Sequence, residues 1–85
     1  MEFTCLKEKY VIENGLIKQY DKKGICQVIV IKNISWIWNT ARDNSIFNAV
    51  KRLEIHTISK DDPVPICVES SEQATQILEE IYKYL

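Results

Sequence analysis

Most residue types that do chemistry are scarce in this chain. It has one histidine, His56, and three cysteines, Cys5, Cys26 and Cys67, none in a C-x-x-C pair. One His and three dispersed Cys give no ligand spacing typical of zinc. No nucleophile–base pair and no phosphate-cradling loop can be read along the chain. The sequence therefore points away from an enzyme, and no cofactor is expected. Arginine is also rare: only Arg42 and Arg52 stand beside nine lysines. Arginine is the better residue for bidentate phosphate recognition, which weighs against nucleic acid and lipid head groups as partners. No apolar run approaches the ~20 residues that cross a bilayer. The start lacks a charged segment followed by an apolar one, so it does not read as a secretory signal. With that start, the odd cysteine count argues for reduced thiols and a cytoplasmic setting. Cys26 and Cys67 lie in apolar runs and are expected to be buried.

What is present reads as one small globular domain spanning 1–85. Hydrophobic residues make up 46% of the chain, too many for a disordered segment. A chain of this size is marginal unless its core is well made. Thirteen of its residues are isoleucine. Such β-branched side chains favour pleated, half-buried surfaces, so the core should be rich in sheet.

Charge is divided along the chain. Residues 1–52 carry nine Lys/Arg against five Asp/Glu, a net of +4. Residues 53–85 carry two against seven, a net of −5. Two solvated faces of opposite sign explain this most simply. A basic sheet that meets an anionic partner is the sharper alternative.

The elements follow from periodicity. A first strand runs from Phe3 to about Leu6 or Lys7. Tyr10-Val11-Ile12 and Leu16–Tyr20 flank Asn14-Gly15, the strongest short hairpin signal, because both residues accept positive φ. Asp21-Lys22-Lys23-Gly24 marks the next turn. Ile25, Ile29 and Ile31 then share one face of a strand, and Val28 and Val30 make the other face apolar. From Ile34 the parity changes, with Ile34, Trp36 and Trp38 on one face. A parity switch inside an apolar run predicts a bend or bulge near Lys32-Asn33. Residues 39–49 read as a polar loop, with a helical turn as the alternative. Leu53, Ile55 and Thr57 alternate on the next strand, and Val64–Val68 form the last. Ser70 and Gln73 make a capping box. Behind it Ala74, Ile77, Leu78, Ile81 and Leu85 mark an apolar stripe, the mark of a helix that covers a sheet.

The segment Asn33-Ile34-Ser35-Trp36-Ile37, the polar loop after it and Arg52-Leu53-Glu54-Ile55 resemble bacterial pleckstrin-homology-like (PH-like) domains. The early hairpin, Tyr10–Tyr20 around Asn-Gly, is similar to theirs as well. The resemblance covers most of the chain and rests on apolar spacing. It implies a strongly bent antiparallel sheet plugged by a C-terminal helix. Relatives that bind phosphoinositides do so through Lys and Arg in an early hairpin loop, a place held here by Asn14-Gly15 or Lys22-Lys23. The expected fold is thus α+β: one curved antiparallel sheet of about six or seven strands closed by one C-terminal helix.

Three sets of residues compete as a site. Trp36 and Trp38 point the same way, ~7 Å apart on a strand. Such pairs are more often core than surface. If exposed, they make an aromatic platform of the kind enriched at interaction hot spots, extended by Ile46 and Phe47 and rimmed by Lys32. Lys22, Lys23 and Lys32 are the candidate anion-binding residues, with Lys7, Lys9 and Lys18 as further support. His56 faces away from Leu53 and Ile55, beside Glu54 and Arg52, in a row most simply read as polar surface. The leading expectation is a non-catalytic module for protein binding or self-association. An anion-binding module for lipid head groups or nucleic acid is the alternative.

Overall fold

A computed structural model describes residues 1–42 and 51–85. These described residues form seven strands: β1 (Glu2–Cys5), β2 (Glu8–Glu13), β3 (Leu16–Asp21), β4 (Gly24–Val30), β5 (Ile34–Asn39), β6 (Arg52–Thr57) and β7 (Val64–Cys67). One helix, α1 (Ser71–Tyr82), follows. The class is α+β and every strand pairing is antiparallel. The expectation of a single curved sheet is corrected. The strands form two sheets, ordered β1-β2-β3-β4 and β5-β6-β7. The division falls where the parity switch lies: Ile31–Asn33 makes a 3-10 turn between β4 and β5. A 3-10 turn cannot continue a ladder, so the chain leaves one sheet there and enters the other.

Local chemistry explains most of the joints. Asn14 and Gly15 both take positive φ, 53° and 76°, as the β2–β3 hairpin demands. Between β3 and β4, Asp21 Oδ1 accepts from the Lys23 N–H at 2.7 Å, and Gly24 supplies a φ of 116°. β1 is shorter than expected, because Leu6 turns out of it at φ 57° and is exposed. At the β5–β6 connection Thr40 Oγ1 donates to the Arg52 carbonyl at 2.7 Å and accepts from the Arg52 N–H at 3.0 Å. Thr40–Arg42 forms one 3-10 turn. The rest of the expected loop, with Ile46 and Phe47, lies outside the described residues.

Two bulges redirect side chains. On β3–β4 the register shifts between Gln19 and Tyr20. Ile25 therefore pairs with outward-facing Tyr20 and is exposed, although Ile29 and Ile31 are buried. Cys26, expected inside, is exposed at the same irregularity. On β5–β6 the register shifts between Ile34 and Trp36. Ile34 lies across from Thr57, whereas Trp36 lies across from His56. Adjacent residues of β6 face opposite ways, so Ile34 packs on the core and does not share the tryptophan face.

The core lies between the sheets and under the helix. Ile12 and Ile17 from the first sheet, Leu53, Ile55 and Ile66 from the second, and Ile77 and Ile81 from α1 are fully buried. Ser70 caps the helix by accepting from the Gln73 N–H at 3.1 Å. Gln73 Oε1 accepts in turn from the Glu69 N–H at 2.8 Å, one residue earlier than a standard capping box. The helix stops at Tyr82, so Leu85 falls off the apolar stripe and is exposed.

The expectation of three reduced thiols is corrected as well. Cys5 and Cys67 are joined in a disulfide, their Cα atoms 5.8 Å apart. It ties the end of β1 to the end of β7 and so links the two sheets. Sequence spacing could not show this, because the cysteines are 62 positions apart and only the fold brings their Cβ atoms together. The pairing removes the thiol argument for a cytoplasmic setting. No helix among the described residues is long and apolar enough to cross a membrane.

Tyr10 adds a titratable group to the core. Its ring stacks on Phe3 at 4.9 Å, and its hydroxyl donates to Glu8 Oε2 at 2.7 Å. Burial first, then the Glu8 carboxylate, push the phenol well above its ordinary 10.0. A folded value above the unfolded one gives stability that is complete below pH 10.0 and is lost as pH rises from there. The urea midpoint is therefore expected to fall above that pH, and Tyr10→Phe to flatten the fall. A wild-type midpoint that stays level through the alkaline range would contradict this.

Candidate functional site

β5 has one strand neighbour among the described residues, β6, and its other edge faces a groove. An edge strand leaves alternate backbone N–H and C=O groups pointing outward without a partner. The groove has a volume of about 790 Å³. Trp36 and Trp38 line one side, and Leu78, Tyr82 and Leu85 from the end of α1 and beyond it line the other. The tryptophans are 53% and 57% exposed. They form the platform and not the core, reversing the commoner expectation for a paired-aromatic strand. The reason is register: Ile37, between them, pairs with fully buried Ile55 and packs on the core, so its neighbours must point away.

The platform is braced from below. Trp36 stacks on His56 across the strands, ring centroids 3.7 Å apart and planes within 7°. His56 Nε2 is covered and has no hydrogen-bond partner among the described residues. Trp38 lies across from Glu54, whose Oε1 accepts from Arg52 Nε at 2.9 Å and from Arg52 Nη2 at 2.8 Å. Glu54 is thus engaged by arginine instead of being aimed at His56. The polar row read from sequence exists, with Arg52, Glu54 and His56 on one face. Within it Arg52 pairs with Glu54, and His56 stacks on Trp36.

The candidate anion-binding lysines are not brought together. Lys22 and Lys23 sit in the turn before β4, and Lys32 sits in the 3-10 turn after it. Seven strand residues separate them, ~23 Å at ordinary rise. Lys32 lies in no strand, so the parity that placed it beside the tryptophans does not apply. Lys9 and Lys18 are engaged by Glu2 at 3.1 Å and Glu13 at 3.2 Å. Among the described residues no three His, Cys, Asp or Glu side chains gather as metal ligands.

Protection of the sheet edges is uneven. β1 and β7 have four residues each and are tied at their ends by the disulfide, and β7 carries Pro65. Short strands and proline are devices that keep edges from pairing with other chains. The other two edges, β4 with seven residues and β5, Ile-Ser-Trp-Ile-Trp-Asn, with six, carry neither charge nor proline, and of these β5 lines the groove. Comparison of the chain with family models, with curated proteins and with solved structures finds no match.

Proposed function

We propose that this chain is a PH-like, non-catalytic interaction module that holds an extended segment of a partner protein along β5. The observation that carries the reading is a strand edge, unpaired among the described residues, that opens into a groove with aromatic side chains on one wall and apolar helix side chains on the other. Strand addition supplies main-chain hydrogen bonds, and alternate side chains of the added segment supply selectivity. One set would lie against Trp36 and Trp38, and the other against Leu78, Tyr82 and Leu85. The best-fitting segment is apolar on the helix side and aromatic or aliphatic on the tryptophan side.

Trp36 and Trp38 are the only tryptophans in the chain, so its indole emission reports on this groove alone. Both are expected to be open to a soluble quencher in the free protein. Captured partners are expected to shift the emission to the blue and to protect β5 amides from hydrogen exchange. Trp36→Ala/Trp38→Ala should weaken capture by ~100-fold or more, as loss of two interface hot spots does. The thermal midpoint should change little, because both rings are half exposed. Equal capture by wild type and double variant would sink the proposal. A concentration-dependent dimer in light scattering, abolished by the same double variant, would identify the added strand as a second copy of the chain.

A further inference from the structure

Interior faces of packed sheets are ordinarily apolar. The first sheet departs from this at one end. Tyr10 pairs with Gln19, and Gln19 with Gln27, on the face that carries Ile12, Ile17 and Ile29. Glu8 lies on the same face, two residues before Tyr10. A hydrogen-bonded chain results. Glu8 Oε2 accepts from Tyr10 Oη and from Gln19 Nε2, and Gln19 Oε1 accepts from Gln27 Nε2. Glu8, Gln19 and Gln27 are half-buried and line a cavity of about 430 Å³. Its opposite wall comes from the β6–β7 connection, with Lys60 and Asp62, and from Pro65. The volume falls at the lower end of the ~300–1,000 Å³ usual for small-molecule sites.

Two features give this cavity its polarity. Both amide groups of the chain point a donor at a neighbour, which leaves Glu8 Oε1 and Gln27 Oε1 as acceptors with no donor among the described residues. Glu8 and Lys60 also face the cavity from opposite walls, and neither belongs to an ion pair among the described residues. One wall therefore accepts hydrogen bonds and carries a negative charge, and the other carries a positive one. We propose that this cavity binds a small zwitterion of the α-amino acid class, with its ammonium on Glu8 and Gln27 and its carboxylate on Lys60. Asp62, at the rim on the lysine side, sets a limit on ligand size by repelling a carboxylate that reaches past Lys60.

The test is titration of the isotope-labelled full chain with glycine, L-alanine and L-leucine, followed by NMR. Saturable shifts are expected at the side-chain amides of Gln19 and Gln27 and along 60–64, with Kd of ~1 mM. The N-acetyl and the carboxamide derivatives should each bind at least ~10-fold more weakly, since each loses one charge-assisted contact. Lys60→Met and Glu8→Gln should each weaken binding of the free amino acid by a similar factor. Lys60 is exposed, so that variant tests the site even where Glu8→Gln fails to fold. Absence of any saturable shift up to ~20 mM, well above the expected Kd, would overturn the proposal. So would equal binding of the N-acetyl derivatives, or unchanged binding by Lys60→Met.

Discussion

Removing the Cys5–Cys67 bridge, by reduction or by Cys5→Ala/Cys67→Ala, is expected to cost about 4 kcal/mol of folding stability. The bridge closes a loop of 62 positions, and the chain entropy withheld from the unfolded state by a loop of that length corresponds to about 4 kcal/mol. A domain of 85 residues holds only ~4–13 kcal/mol in total, so the bridge accounts for a third or more of it. The thermal midpoint should fall by about 15–25 °C. The consequence is structural too, because the bridge joins the edge strands β1 and β7 of different sheets. Urea unfolding with and without reductant measures the loss, and the double alanine variant separates it from other effects of the reductant. Thiol labelling of the denatured, unreduced protein gives an independent check. One label per chain, on Cys26, is expected. Three labels, or equal urea midpoints for oxidised and reduced protein, would refute the pairing.

The second large effect is expected at Ile55. This side chain is fully buried at the centre of β6, with Ile37 and Val64 across from it on the two neighbouring strands. Ile55→Ala should cost about 3–4 kcal/mol, the sum of lost apolar transfer and the cavity left behind. Its sequence neighbours point the other way. Glu54→Ala removes an exposed arginine contact, and His56→Ala removes one stacked ring, so each should cost about 1 kcal/mol or less. The three variants can be ranked by their urea midpoints. Comparable losses at all three positions would mean that the strand is not held in the register described. The two neighbouring substitutions act on the groove instead. His56→Ala withdraws the ring beneath Trp36 and should broaden its emission with little change in stability.

Much of the architecture could be read residue by residue. Asn14-Gly15 announced a hairpin because only a few residue types take two successive positive φ values without strain. The parity change after Ile31 announced a break, and a 3-10 turn stands there. Leu53, Ile55 and Thr57 alternate as they should, and Ser70 with Gln73 marks the helix start. Each of these is a local property, decided by neighbours within about one turn or one strand. What proved illegible was non-local. The bulge at Ser35 turns Ile34 away from the tryptophans, and the irregularity near Cys26 turns Ile25 outward. Both depend on how a partner strand is paired, and a slip of one residue reverses every face downstream.

The candidate site divides the same way. Trp36 and Trp38 were visible as a same-face pair, and their residue type and spacing are all that a sequence can show. Whether that face is core or surface depends on which side of β5 receives the helix. Burial of Ile37 against Ile55 settles that in favour of exposure. The half-buried polar chain of Glu8, Gln19 and Gln27 left no signal, since these residues lie on three strands and meet only through the pairings of β2, β3 and β4.

By itself, then, the sequence determined the elements: six or seven extended segments, their turns, one capped helix, and a charge division between its two parts. Those follow from backbone preferences and short-range periodicity, which act before any distant contact forms. Tertiary structure alone decided that the strands make two sheets, that Cys5 meets Cys67, that the tryptophans stand outside, and that one edge of β5 is unpaired among the described residues. Each of these depends on which distant surfaces bury one another, and burial is a property of the assembled core and not of any segment in it.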